Sequence, residues 1–354
     1  MPTWGEILEE LQTTQPEGRA SPFDIVRRKY LNQLRAHTGR NVVLYATKWT
    51  QGGGDPGLTS INAGDIQGFM EVMHGLNPAE GLDIILHSPG GSPEATESIV
   101  QYIRSKFNDV RVIVPHAAMS AATMLTCAAN RVVMGKHSFL GPIDPQMILQ
   151  TETGLRAVAA HAIIEQFKLA QQECRDPKLL PSWLPILRMY GPALLVQCQL
   201  ATKLSKSLVS QWLAQYMFAG LPDAAQRAEK TAHTLADHEH HLSHGRFLGR
   251  DQVKALDIVV ADLEDDQPMQ DAVLSVFHAA THSLTATATV KIIENHLGKA
   301  FINADLNAAV AGLRFAPIGI RPTPTLPVPP PGPGQSPPGP SLPAPTPPPD
   351  EPKQ

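Results

Sequence analysis

The chain of 354 residues carries a formal net charge of -4, with 42% hydrophobic, 18% charged and 5% aromatic residues. That is enough apolar material for a large buried core, and without a sustained Lys/Arg run the electrostatic footprint of a nucleic-acid binder is missing. Cys127, Cys174 and Cys198 form no CxxC pair, which argues against a disulfide framework or a thiolate zinc site and for a reducing compartment.

Residues 1–40 read as a charged helical segment, with apolar positions from Glu6 to Leu11 and from Ile25 to Leu34 at helical spacing. The acidic start MPTWGEILEELQ lacks the positive head of a secretory signal. No stretch reaches the roughly 18 apolar residues of a membrane span. The expected location is therefore cytoplasmic, with no membrane span and no nucleic-acid partner. Asn41 to Thr47 is the first strand signal. The glycine-rich Thr50 to Gly57 that follows lacks the GK[ST] ending of a phosphate loop and reads as a mobile loop near an active-site mouth.

A helix is expected from Ala63 to Leu76, then the apolar strand Gly81 to His87, of the kind buried in parallel sheets. The turn Ser88-Pro-Gly-Gly91 leads into a helix with Ser92 as N-cap, Pro93 at its first position and Glu94 at the positive end of the dipole. A strand at Val110 to Pro115, a small-residue helix from Ser120 to Ala129 and a strand at Arg131 to Met134 complete a run of βαβ units. The fold class is α/β with a parallel sheet. Residues 150–232 read as mainly helical, 250–262 as a short helix leading into a strand, and 267–312 as one or two closing helices. The prolines crowding the tail predict a disordered extension able to dock on a proline-recognising module.

Two segments bear chemistry. Consecutive glycines in His87-Ser-Pro-Gly-Gly91, at the end of a buried strand, free backbone N–H groups and admit a reacting carbonyl closely, as an oxyanion hole requires. Ser120, in Ala118-Met-Ser-Ala-Ala-Thr123, stands where a strand hands over to a helix, and the helix dipole there favours a developing oxyanion. Taken singly, each has a plain alternative: an ordinary turn, and an N-cap serine.

Together with their spacing and the later RVVMGKHSFLGPIDPQ, the segments HSPGG and AMSAAT resemble the Clp-protease/crotonase superfamily, and within it the serine dehydrogenase proteinase family. The resemblance is strongest from Asp83 to Gln146, weakens over the helical stretch and returns near His244 to Leu256. It implies a Clp-protease/crotonase-like core over residues 41–262 with a helical insertion at about 150–232, followed by C-terminal helices over 263–312 and a proline-rich disordered tail over 313–354. It also implies Ser120 as nucleophile and an oxyanion hole from Gly90 or Gly91 with Ala121. The chain order Ser, Asp, His would make Asp144 the orienting carboxylate and a downstream histidine the base. His244 is favoured because the segment after it resembles the family's closing element. His233, His238, His240, His241, His116, His137 and His161 stay open, as does Lys136 in a Ser–Lys dyad.

The implied protein is a homo-oligomeric serine peptidase or related acyl hydrolase acting on peptides or proteins, with no cofactor and no metal. Asp237, His241 and His244 fall on one face if the segment is helical, as do His240 and His244, but DHEHHLSH lacks the HExxH spacing of a zinc peptidase. The competing functions are a crotonase-type acyl-CoA enzyme, which needs no serine nucleophile, and an inactive scaffold whose proline-rich tail recruits partners.

Overall fold

A computed structural model describes residues 2–52, 55–151 and 154–305. The described strands are β1 (Asn41–Thr47), β2 (Leu82–His87), β3 (Val110–Val114), β4 (Ala117–Ala118), β5 (Arg131–Met134) and β6 (Phe139–Leu140). They continue with β7 (Gln146–Thr151), β8 (Gly154–Ala159), β9 (Leu248–Gly249), β10 (Val260–Asp262), β11 (Thr289–Asn295) and β12 (Ala300–Ala304). The main sheet has seven strands in the order β10-β5-β3-β2-β1-β11-β12. Its first five are mutually parallel, and β11 and β12 close one edge antiparallel.

Strand side chains alternate between two faces, and both faces are covered by helices. Val43, Tyr45, Ile84, Leu86, Val112 and Val114 pack under the helices Asp65–Met73, Pro93–Arg104 and Ala121–Cys127. Val42, Leu44, Ile85 and Ile113 face the other way, against Trp4–Thr13, Pro22–Thr38 and Gln267–Ala286. The period of two along each strand, with apolar residues at both phases, explains why these strands read as continuous hydrophobic runs. Helix starts obey local chemistry. The Ser92 hydroxyl accepts the Ala95 N–H at 3.0 Å, Pro93 opens the helix, and Gly39 ends Pro22–Thr38 with a φ of 67°.

Two expectations are corrected. Within the stretch expected to be mainly helical, β8 pairs with β7 as an antiparallel hairpin before the helices Ala160–Glu173, Leu180–Arg188, Leu194–Trp212 and Ala224–Leu235. The closing segment is one helix, Gln267–Ala286, followed by the hairpin β11–β12 and not by a second helix. The β-branched Thr289, Val290, Ile292 and Ile293 suit a strand, and pairing with β1 on one side and β12 on the other decides their conformation. The proline-rich tail lies outside the described residues. Among those described, no helix is long and apolar enough to cross a membrane.

Candidate active site

Both chemistry-bearing segments leave the sheet at the C-terminal ends of parallel strands, β2 and β3. After β2 the Ser88 N–H donates to the Ala117 carbonyl at 3.1 Å, and the Met119 N–H donates back to the Ser88 carbonyl at 3.0 Å. The glycine turn is thereby stitched to the segment that carries Ser120. Gly90 has a φ of 95° and Gly91 one of 154°, a region side chains other than glycine's rarely enter. The turn's other side is held by Ile61, whose N–H donates to the Gly90 carbonyl at 2.7 Å and whose carbonyl accepts the Ser92 N–H at 2.9 Å. The Gly90 N–H donates to the Ser88 hydroxyl at 3.2 Å.

Ser120 occupies the N-cap position of Ala121–Cys127 with φ 53° and ψ -120°. For a residue with a Cβ this conformation costs about 1–3 kcal/mol, and such strain concentrates at functional sites. Its hydroxyl makes no capping hydrogen bond, so the plain N-cap reading does not account for this serine. The Ala122 N–H donates to the Met119 carbonyl at 2.9 Å, and the Ala121 N–H, at the very start of the helix, has no intrahelical acceptor.

A small second sheet sets three chain segments side by side. It runs β4-β6-β9, with Ala118 opposite Leu140 and Leu140 opposite Leu248. β4 and β6 are parallel, so Ser120 and Asp144 both lie beyond the same end of their strands. β9 is antiparallel to β6, so the chain entering it, which includes His244, arrives from that same end. Thr123 locks the arrangement: its hydroxyl donates to the Ala118 carbonyl at 2.8 Å and accepts the Gly141 N–H at 3.0 Å.

At this end Asp144 is 2% exposed. Its Oδ1 accepts from His244 Nδ1 at 2.8 Å and its Oδ2 from His238 Nδ1, also at 2.8 Å. Gln146 Nε2 adds a longer bond of 3.2 Å to Oδ2. An ionised carboxylate only accepts, so both rings carry their proton on Nδ1 and present Nε2 outward. Burial alone would raise the Asp144 carboxyl; hydrogen bonding and charge from His244, then from His238, outweigh it and hold the group below the usual carboxylate range.

The structure places His244 in hydrogen-bond contact with Asp144, and beside it His238, which the sequence left among the alternatives. Ser120, Ala121 and Gly90 are packed together in the neighbouring turn. Three of the other candidate histidines pack away from Asp144. The buried His241 ring pairs through Nε2 with the Thr234 carbonyl at 2.8 Å, and His240 lies edge-on to it at 4.8 Å. His116 stacks on His87 at 5.4 Å. The Lys136 N–H donates to Glu264 Oε1 at 2.7 Å. The expectation that His240 or His241 shares a helical face with His244 is overturned, because the helix His238–His241 ends at Leu242, whose φ is 64°. That reversal is what turns His244 back onto Asp144 beside His238. Beyond Asp144 a cavity of about 910 Å³ opens, lined by His161, His233, His238, Lys203 and Lys206 among others. Ile61 and Thr123, which position the turn and the serine, gave no signal in the sequence.

A parallel sheet with a glycine turn after one strand and a strained serine at a helix N-cap position after the next defines an α/β fold. Residues 54–167 match the family described as ClpP-like SDH-type serine proteinase, so the resemblance drawn from HSPGG and AMSAAT holds over that segment. The chain is similar to two uncharacterized proteins of Methanocaldococcus jannaschii. One is 28% identical over 134 residues, covering 37% of this chain and 47% of the relative. The other is 38% identical over 66 residues, covering 19% of this chain and 23% of the relative. The chain spans less than half the length of these curated relatives. Among solved structures, a membrane-bound stomatin-specific protease aligns with a TM-score of 0.32 and 16% identity, over 57% of this chain and 75% of that one.

Proposed function

We propose that this chain is a serine peptidase, or a closely related acyl hydrolase, with Ser120 as nucleophile, His244 as general base and Asp144 as the carboxylate that orients it. The observation that carries this reading is the aligned row Ala118, Leu140 and Leu248, from whose one end the segments bearing Ser120, Asp144 and His244 all depart. Ser120 Oγ attacks the substrate carbonyl as His244 Nε2 takes its proton, and Asp144 stays anionic to stabilise the imidazolium. The N–H groups of Gly91 and Ala121 receive the oxyanion. Gly91 is preferred to Gly90 here because the bridge to Ile61 uses the carbonyl before it and the amide after it, which leaves its own N–H facing away from Ile61. The proton on His244 passes to the leaving group, and water then releases the acyl-enzyme.

The uncapped Ser120 hydroxyl and the Asp144 carboxylate fastened to His244 support this reading over a crotonase-type acyl-CoA enzyme, whose chemistry needs no serine nucleophile. They also support it over an inactive scaffold, in which nothing would maintain the strain at Ser120. The proposal takes peptides or proteins as substrates, homo-oligomerisation as the working state and the cytoplasm as the location. The test is labelling of the purified full chain with a fluorophosphonate probe. Labelling should vanish in Ser120→Ala and slow by about 10²–10⁴-fold in His244→Ala, the usual worth of a positioned general base. Asp144→Asn should also lose most of its reactivity. A folded wild-type chain that stays unlabelled would overturn the proposal.

A further inference from the structure

A Ser–Asp–His site needs one imidazole on its carboxylate, and Asp144 carries two. His244 and His238 each place Nδ1 2.8 Å from a different carboxylate oxygen. They differ in surroundings. His238 belongs to the short helix His238–His241 and lines the cavity of about 910 Å³. Its ring centroid lies 5.6 Å from that of His161, whose Nε2 is 3.4 Å from Glu239 Oε1. The side chains of His238 and His244 are similarly exposed, 21% and 26%, against 3% for that of Asp144. What sets His238 apart is its place on the cavity wall, fastened to a buried carboxylate.

We propose that His238 is a positioning residue for Asp144: it fixes carboxylate Oδ2 so that Oδ1 stays aligned on His244, and its protonation draws on the charge the His244 imidazolium requires. The proposal rests on the Ser120–Asp144–His244 reading above. Neutral His238 supplies a hydrogen bond and leaves the full negative charge for His244. Protonated His238 competes for that charge, and the serine loses its activated base. The charged and titratable groups that surround His238 are Asp144 and His244 on the site side, His161 across the ring contact, and Asp237 and Glu239 on its own element. Lys203 and Lys206 of the helix Leu194–Trp212, with Glu165, Lys168, Glu229 and His233, are the other charged and titratable groups of the cavity wall.

Fluorophosphonate labelling rates of the full chain across pH test this with His238→Asn, which retains an N–H donor near the Nδ1 position but does not titrate, beside His238→Ala. At pH 8 the Asn variant should label within about threefold of wild type and the Ala variant should be slower by about tenfold or more, since a misaligned catalytic group costs rates of that order. On the acid side, wild-type reactivity should fall with two protons and that of His238→Asn with one. This second readout needs only the Asn variant, whatever the fold of the Ala variant. An acid limb of unchanged slope in His238→Asn overturns the proposal. So does loss of labelling at every pH in His238→Asn while His244→Asn stays reactive, because the two rings would then have exchanged roles. Undiminished labelling of Ser120→Ala would instead remove the serine-hydrolase reading itself, and with it this proposal, whatever the histidine variants do.

Discussion

Gly90 lies directly against Ser120: a Cβ built on Gly90 would stand 2.8 Å from the Ser120 Cβ, 2.8 Å from the Ala121 nitrogen and 2.5 Å from the Met119 oxygen. Two of these neighbours are backbone, so no rotamer change relieves the clash, and the φ of 95° adds strain for any side chain. Gly90→Ala must therefore push the glycine turn away from the serine. If the turn supplies an oxyanion donor, its displacement costs about 10²–10³ in turnover, the worth of one such donor. Turnover of an activated ester with the folded variant checks this, and activity within threefold of wild type would sink the oxyanion assignment.

The strain at Ser120 has a consequence for stability. Glycine adopts a φ of 53° freely, so Ser120→Gly releases about 1–3 kcal/mol, against about 0.5–1 kcal/mol of extra unfolded-state entropy. Alanine keeps a Cβ and keeps the strain. Both variants lack the nucleophile, yet Ser120→Gly should be about 1 kcal/mol more stable than Ser120→Ala, a few degrees in Tm at most. Thermal melts of the two side by side decide it; equal Tm values would mean that the backbone relaxes in the alanine variant.

Much of the core was legible because its signals are local. β2, β3 and β5 are short apolar runs bounded by turn residues, and Ser92 and Pro93 announce their helix. The glycine turn and Ser120 could be found for the same reason. What escaped depends on pairing between distant segments. β11 follows the helix Gln267–Ala286 with only Thr287 and Ala288 between them, and its β-branched residues were the missed cue. Gly154, with a φ of 109°, was the comparable cue for the β7–β8 hairpin. Asp144 and His244 were reached through the family resemblance, not through residue pattern. Their meeting depends on the chain reversal at Leu242 and on the pairing of β9 with β6, neither of which residue spacing encodes. The same reversal brings His238 to Asp144.

The loop that braces the glycine turn stands on a buried ion pair. Lys291 Nζ is 2.6 Å from Asp65 Oδ1, and both side chains are fully buried. Tyr45 donates to Asp65 Oδ2 at 2.7 Å, and Lys291 also donates to the Ser60 carbonyl at 2.8 Å, next to Ile61. Burial pushes Lys291 below its ordinary range, opposed by the Asp65 charge, and pushes the Tyr45 phenol well up, helped by the same carboxylate. Removing one partner strands the other, so Asp65→Asn should cost about 3–5 kcal/mol. Replacing both, as Asp65→Leu with Lys291→Met, should recover at least half of that. Chemical denaturation of Asp65→Leu, Lys291→Met and the variant carrying both measures the coupling, and strictly additive losses would show that the pair does not act as a unit.

Acid sensitivity of the fold should trace to His87, at the end of β2. Its ring is fully buried, stacked on His116 at 5.4 Å and edge-on to Phe277 at 5.0 Å. Burial, reinforced by the nearby His116, lowers its pKa to about 3 from an ordinary 6.5. The folded chain thus keeps His87 neutral while the unfolded chain protonates it. For a base with a depressed folded pKa, this stability is present above the unfolded pKa and is lost as pH falls from the unfolded pKa toward the folded one. Between pH 7.5 and pH 5 the loss amounts to about 2 kcal/mol by linkage. His87→Leu removes the titrating group and keeps apolar contact with Trp49 and Phe277. The difference in unfolding free energy between those two pH values should therefore shrink by about 2 kcal/mol in the variant. An unchanged difference would place the acid sensitivity in other groups, Asp144 not among them, since its own depressed pKa acts only below the ordinary carboxylate range near pH 4.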